Sequence, residues 1–180
     1  DWVRAIRHGV GPDNRPLVIM PSEEYHHLSQ YDLAKLIAFL KTLPDVDNET
    51  GTHRFTTMAK VLGTLGAFGT LFAAREIDHN APFAEAPTAE VSARYGEYMV
   101  NVSGCRTCHG TALNGGKDPN PEAPPGPNLT PGRRLSGWSE AEFLTLMATG
   151  TTPDGRKLNT EFMPWNAYGK MDETSLKAIF

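Results

Sequence analysis

Two thiols and an imidazole lie close together in residues 104–110, which read GCRTCHG. Cys105 and Cys108 are the only cysteines among the 180 residues. Their spacing, with a histidine directly after the second cysteine, is the one by which c-type haem is attached. The two thiols add across the vinyl groups of the porphyrin as thioethers, and the imidazole ligates the iron. We therefore predict a covalent haem on Cys105 and Cys108, with His109 as its proximal ligand.

Three other chemistries use the same residue types. A structural zinc site needs four nitrogen or sulfur ligands, usually in two pairs, and the chain has no second cysteine pair. A thioredoxin-like redox pair needs a strand–helix–strand context, which the flanking residues do not supply. A plain disulfide beside an idle histidine is the third alternative.

A methionine that can ligate iron lies farther along the chain, in the stretch FMPW at residues 162–165. Met163 follows His109 by 54 residues and lies in a turn-rich segment before a predicted helix. Thioether sulfur is a soft ligand that favours Fe(II), so methionine opposite histidine raises the reduction potential. The alternative for Met163 is an ordinary loop residue.

Together, the CxxCH motif and the Met-Pro pair at residues 163–164 resemble class I cytochromes c. The resemblance implies a mainly α fold, in which a small helical haem domain carries long loops rich in proline and glycine. The separation of His109 and Met163 matches a small domain of this family, which implies Met163 as the second axial ligand. Because both axial positions would then be closed, the resemblance implies an electron carrier rather than an enzyme.

The same resemblance implies roles for further residues. The loop at residues 126–129, GPNL, is similar to the family loop whose proline carbonyl accepts the Nδ1–H of the proximal histidine, which implies this role for Pro127. Trp138, Arg133 and Arg134 are candidates to bind the haem propionates, and Trp138 is the best of the three. For each arginine the alternative is a solvated surface charge.

An internal repeat relates the start of the chain to its end. The aligned segments are 1–9 with 142–150, 11–17 with 152–158 and, after a two-residue length difference, 20–33 with 163–176. Nine aligned positions are identical. Both copies predict a helix ended by glycine, then a turn with positive φ at Asn14 and Gly155, then a Met-Pro pair.

The alignment places Met20 on Met163 and so predicts Met20 as an iron ligand too. By analogy with the second copy, we expect an attachment motif for a second haem about 30 residues before Asp1. The chain thus resembles a tandem di-haem cytochrome c with a truncated first domain. The predicted divisions are the second half of a first domain at 1–43, a linker at 44–90 and a nearly complete second domain at 91–180.

Composition narrows the possible partners. A net charge of −4 argues against a nucleic-acid partner, and 17 glycines with 14 prolines indicate many loops.

The most apolar run, residues 58–74, is short for a membrane span and contains Lys60 and three glycines. We predict that it packs on the domains or on a partner. Five other histidines are predicted to be exposed or loop residues rather than iron ligands: His8, His26, His27, His53 and His79.

The resemblance implies one-electron transfer to redox protein partners, as a carrier or a subunit in a bacterial respiratory or dehydrogenase chain that associates with a membrane complex. It also implies a periplasmic or outward-facing location, because bacteria attach haem covalently outside the cytoplasmic membrane. Two alternatives stay open. One is a haem enzyme of the di-haem peroxidase or thiosulfate-oxidising type with one labile ligand. The other is a docking subunit whose first domain has lost its haem.

Overall fold

A computed structural model describes residues 1–18, 20–48, 55–65, 72–117, 122–132, 135 and 137–180. The chain divides into two compact units, Asp1–Ala86 and Pro87–Phe180. The described residues form helices and isolated β-bridges but no β-strand, which confirms the expectation of a mainly α fold.

The helices of the first unit are α1 (Trp2–His8), α2 (Ser22–Tyr25), α3 (Gln30–Leu40), α4 (Thr57–Thr64) and a 3₁₀ turn at Ala73–Arg75. Among the described residues, no helix is both long and apolar enough to cross a membrane. Helix α4 covers the first part of the apolar run at 58–74, of which residues 66–71 lie outside the described part.

The helices of the second unit are α5 (Ala93–Val102), α6 (Cys105–His109), α7 (Glu140–Thr149), α8 (Trp165–Tyr168) and α9 (Glu173–Ile179). Helices α5 and α9 cross at Gly96, where a Cβ atom would lie 1.9 Å from the Ala178 carbonyl oxygen. The hydroxyls of Tyr95 and Ser175 meet at 2.9 Å beside this crossing. Glycine is therefore required here because any side chain would push the two helices apart.

The internal repeat of the sequence is also a repeat of backbone conformation. Gly9 ends α1 at φ 61° and Gly150 ends α7 at φ 67°. The turns that follow have positive φ at Asn14 (62°) and at Gly155 (81°), as predicted. Each turn is closed by an isolated antiparallel bridge, Val10 with Pro16 in one copy and Thr151 with Lys157 in the other.

Helices α3 and α9, which are equivalent in the two copies, begin with the same kind of cap, in which a serine and an aspartate pair with each other. The two residues are exchanged between the copies. In the first unit the Ser29 hydroxyl accepts from the Asp32 amide at 3.0 Å and donates to its carboxylate at 2.9 Å. In the second unit the Asp172 carboxylate accepts from the Ser175 amide at 2.9 Å and from its hydroxyl at 2.6 Å. Both arrangements satisfy amide donors that the first helical turn leaves unpaired.

Part of the predicted linker packs on the first unit. We call residues 72–84 the strap. Ala73 in the strap is only 2% exposed, and Ala84 forms a parallel bridge with Ser29. The strap also supplies two backbone carbonyl acceptors to the buried guanidinium of Arg7. This packing could not be read from the strap's own polar, proline-containing sequence, because the groups that it covers lie in α1 and α2.

Candidate haem site

The two cysteines and the histidine of the motif lie on one short helix, α6. Gly104 precedes this helix at φ 68° and Gly110 follows it at φ 81°, so the chain turns sharply at both ends. Residues three and four apart share a helix face, which brings Cys105, Cys108 and His109 to the same side. All three line one cavity.

Two adjoining cavities, of about 400 and about 80 Å³, share part of their lining and form one cleft. The lining they share is Cys105, Leu129, Phe143 and Ile179. The smaller cavity is bounded also by Cys108, His109, Met147, Met163, Tyr168 and Met171. The cleft therefore combines an apolar wall with sulfur and nitrogen donors, which suits a large planar apolar group that contains a metal.

The imidazole of His109 is oriented by the loop after α6. Its Nδ1 atom lies 2.9 Å from the carbonyl oxygen of Pro127, and the side chain is only 8% exposed. A carbonyl oxygen can only accept, so Nδ1 carries the proton and donates it. The neutral ring then has its lone pair on Nε2, the atom that can bind a metal.

Two glycines allow the Pro127 carbonyl to come this close. Gly116 and Gly126 exchange backbone hydrogen bonds of 3.2 and 2.9 Å, which pairs the loop before Pro127 with the segment after α6. A Cβ atom on Gly126 would lie 2.0 Å from the Cys108 carbonyl oxygen, and one on Gly116 would lie 2.9 Å from it. Both contacts are with backbone, which cannot move aside without disturbing α6.

We expect the substitution Gly126→Ala to displace the Pro127 carbonyl from His109. The new methyl group must push the loop away from α6, and such overpacking costs about 1–3 kcal/mol of unfolding free energy. Denaturant unfolding of the haem-loaded protein measures this loss. The control is Gly155→Asn, because Asn14 occupies the equivalent turn with positive φ; it should be close to neutral. An unchanged stability for Gly126→Ala would contradict the close packing described here.

The Cys105 thiol is held away from the thiolate form, which zinc binding and disulfide exchange require. Cys105 and Cys108 are half-buried and not bridged to each other, and burial raises the pKa of the Cys105 thiol. A protonated thiol is a poor ligand for zinc and a poor nucleophile for disulfide exchange, since both need the thiolate. Addition to a vinyl group uses both the sulfur and the hydrogen of the thiol.

Met163 reaches the same cavity from the other end of the second unit. Its amide donates to Asn159 at 2.9 Å, and its carbonyl accepts from the Trp165 amide at 2.7 Å. The side chain packs against a core of Phe143, Met147 and Leu176. The structure thus brings Met163 and His109, 54 residues apart in sequence, to one cavity.

The donor set around the cleft fits a covalent haem. It offers two thiols, one imidazole nitrogen with its partner atom already engaged, and one thioether, within an apolar lining. Trp138 is half-buried and is not among the lining residues of these cavities. Arg133 and Arg134 lie outside the described residues. Their predicted contact with the propionates stays a prediction.

Sequence reasoning missed Tyr168 as a residue of this site. Its hydroxyl donates to the Ser103 carbonyl oxygen at 2.9 Å, which ties α8 to the turn before α6, and its ring lines the cavity. The identity of Tyr25 and Tyr168 in the repeat was the available signal. Phe143 and Met147 were also missed as lining residues, although their spacing of four places them on one face of α7.

Met20 occupies in the first unit the place that Met163 has in the second. The Ser22 amide donates to its carbonyl at 2.7 Å, the same bond that Trp165 makes to Met163. The residues that line the cavity in the second unit have counterparts of similar character: Trp2 for Phe143, Ile6 for Met147, Tyr25 for Tyr168 and Leu36 for Ile179. Trp2 is 45% exposed and Ile6 is buried.

The remaining histidines were predicted to be exposed or loop residues, and four of them gather in the first unit. His8 Nδ1 lies 3.0 Å from His79 Nδ1, and His79 Nε2 donates to the Ala74 carbonyl at 2.8 Å. His26 stacks edge-on to His8 with 6.1 Å between ring centroids, and its Nδ1 is buried without a hydrogen-bond partner among the described residues. His27 is exposed, and His53 lies outside the described residues.

We expect the first unit to lose stability as the pH falls below about 6.5, the ordinary histidine value. Burial, then the charge of His79 and nearby arginines, lowers the pKa of His8; burial and Arg7 lower the pKa of His26. The unfolded chain therefore binds more protons than the folded one, so the unfolding free energy decreases with decreasing pH. Burial raises the pKa of Glu23, which acts in the opposite sense nearer pH 4.5.

Urea unfolding at about pH 7.5 and about pH 5.5 measures this slope. In the variant His8→Asn/His26→Asn the slope between these pH values should flatten. A slope unchanged by the double substitution would contradict the assignment to these two histidines.

A comparison with curated proteins finds one similar to most of this chain. It is a protein of Cereibacter sphaeroides described as "Diheme cytochrome c-type", 30% identical over 167 residues. The chain is similar to a c-type cytochrome. The match covers 86% of this chain and 53% of that protein, so the chain spans about half the length of its relative. No family model matches the chain.

Proposed function

We propose that this cytochrome-like chain carries single electrons through a haem c bound to Cys105 and Cys108, with His109 and Met163 as axial ligands. The observation that supports this most strongly is the shared cavity, in which two thiols, an oriented imidazole and a thioether meet. Once bound, the haem supplies one-electron exchange between Fe(II) and Fe(III). With both axial positions taken by protein ligands, the chain would act as a carrier rather than an enzyme.

The surrounding residues would tune the reduction potential. The Pro127 carbonyl oxygen accepts the hydrogen bond from His109 Nδ1. This bond increases the basicity of Nε2, the ligating nitrogen, and so favours Fe(III). The thioether of Met163 acts in the opposite sense and favours Fe(II). Leu129, Phe143 and Ile179 line the cleft with apolar side chains, which makes additional positive charge there more costly. The balance of these three effects sets the potential.

The proposal extends to a second haem on the first unit. Met20 would be its axial ligand, and Trp2, Ile6, Tyr25 and Leu36 would cover one side of it. The repeat of backbone conformation around the two methionines supports an equivalent role for Met20. The word "diheme" in the relative's description supports a second haem. Cys105 and Cys108 are the only cysteines of the 180 residues, so the thiols that would attach this second haem are not among them.

We propose a location in the periplasm or on the outer face of a bacterial cytoplasmic membrane, where the protein would act as a carrier or subunit of a respiratory or dehydrogenase chain. The attachment motif supports the location, since it requires haem attachment outside the cytoplasm. The partners would be redox proteins, because a closed haem exchanges electrons with another protein rather than with a bound substrate.

Haem stoichiometry of the protein purified from its source tests the proposal. Intact mass and the pyridine haemochrome spectrum together give the number of c-type haems per chain. Two haems support both parts of the proposal, and one haem removes the second part. No covalent haem, or rapid binding of carbon monoxide to the native reduced protein at the Met163 site, would overturn His/Met ligation.

A further inference from the structure

A fully buried arginine joins α1, α2 and the strap. Arg7 is only 1% exposed. Its Nη1 donates to the His26 carbonyl at 2.6 Å, and its Nη2 donates to the carbonyls of Ala81 and Pro82 at 2.9 and 3.0 Å. The guanidinium also lies over the ring of Phe83, 4.2 Å from its centre. Among the described residues no carboxylate pairs with it, so backbone carbonyls and a ring face alone compensate its charge.

The second unit holds the equivalent elements together in a different way. Its residue at the position of Arg7 is the exposed Ala148, and its residue at the position of Ser22 is Trp165. The indole of Trp165 covers Gly150, where a Cβ atom would lie 2.2 Å from the ring, and its Nε1 donates to the Leu158 carbonyl at 3.3 Å. One side chain thus fixes α8, which directly follows Met163, against the end of α7.

Ser22 is too small to do the same in the first unit. Ser22 and the strap together fill the space beside Gly9: a Cβ atom on Gly9 would lie 3.1 Å from the Ser22 hydroxyl and 3.4 Å from the Ala74 nitrogen. Arg7 retains the strap through its bonds to residues 81 and 82, and it retains the end of α2 through His26. Helix α2 begins directly after Met20 and Pro21, so whatever holds α2 on α1 also fixes Met20.

We propose that Arg7 is a positioning residue for Met20, and that Arg7 with the strap does in the first unit what Trp165 does in the second. The inference rests on the proposed ligation of a second haem by Met20. Arginine can join α2 and the strap because its planar guanidinium directs N–H donors at carbonyls on two sides at once. Lysine has a single ammonium group and cannot span the two segments in this way.

The test uses the natural protein loaded with both haems. The first readout is the weak long-wavelength absorption band of ferric haem that has a thioether ligand, which reports whether methionine is bound to the iron. The second readout is the reduction potential of each haem, measured separately. We expect Arg7→Ala to abolish the band of one haem, lower its potential and let added imidazole bind to it. Trp165→Ala should do the same to the other haem only. Arg15→Ala, at a side chain that is 83% exposed, is the matched control and should change neither.

The comparison with Met20→Leu separates the two ideas. If Met20→Leu removes one band and Arg7→Ala leaves both bands and both potentials unchanged, the role of Arg7 is wrong while the ligation by Met20 stands. If Met20→Leu itself leaves both bands intact, both ideas are wrong. Should Arg7→Ala fail to fold, Arg7→Lys gives the same readouts: imidazole should displace the ligand of one haem at lower concentration than in the parent, and an unchanged imidazole titration would overturn the inference.

Discussion

Replacing both Cys105 and Cys108 by alanine is expected to remove all covalent haem from the second unit. These thiols are the only cysteines of the chain, and both line the cleft. Without the thioether bonds, any porphyrin would be retained only by axial ligation and apolar contact, and it would separate from the denatured chain. Haem-dependent peroxidase staining of a denaturing gel measures the loss.

The single variants are the control for this experiment. Cys105→Ala and Cys108→Ala each leave one thiol on α6, so one thioether bond can still form and the gel band should persist at reduced intensity. Haem that stays bound to the double variant after denaturation would contradict attachment at this motif, provided that the protein carries no second attachment site. A peptide digest that assigns the haem-bearing fragment checks that condition.

The second large effect is expected for Met163→Leu. Leucine keeps the apolar volume of this position but has no sulfur, so the sixth position of the iron would open to water or to an added ligand. We expect the reduction potential of this haem to fall by at least about 0.1 V, within the range of about 0.8 V that axial ligands span. The reduced variant should also bind carbon monoxide.

Met171 provides a matched control, because it too is a methionine that lines the cavity. Met171→Leu makes the same chemical change in the same cleft and should leave the potential and the ligand-binding behaviour nearly unchanged. If both substitutions lowered the potential equally, the effect would come from the polarity of the cleft, and Met163 would not be the ligand.

Much of the local structure was predictable because its causes are local. Ser139 caps α7 with its hydroxyl while Glu142 reaches back to the Ser139 amide, and the sequence pattern predicts this capping box from residues three apart. The positive φ angles at Asn14 and Gly155 follow in the same way from residues that tolerate them. The class I assignment and the domain boundaries stay predictions.

The cleft itself was only partly predictable. The attachment motif and Met163 are recognisable by residue type and spacing, whereas the repeat of Tyr168 and the helical spacing of Phe143 indicate a shared fold and a shared helix face but not a cavity lining. The family resemblance implied that Trp138 lies near the propionates, yet it is not among the lining residues of the described cavities. A side chain's chemistry indicates what it can bind, whereas its direction depends on how distant segments pack.

By itself the sequence determined that two thiols and an imidazole lie side by side, because Cys105, Cys108 and His109 fall within about one turn of one short helix. It also determined that the two methionine segments share a backbone path, since both carry residues that suit the same turn and the same helix cap. Tertiary structure alone decided what holds each segment in place: Trp165 on Gly150 in one unit, Arg7 and the strap in the other. Arg7 and Ala81 are 74 residues apart in the chain, and contacts at that separation depend on the packing of whole elements, which no local pattern records.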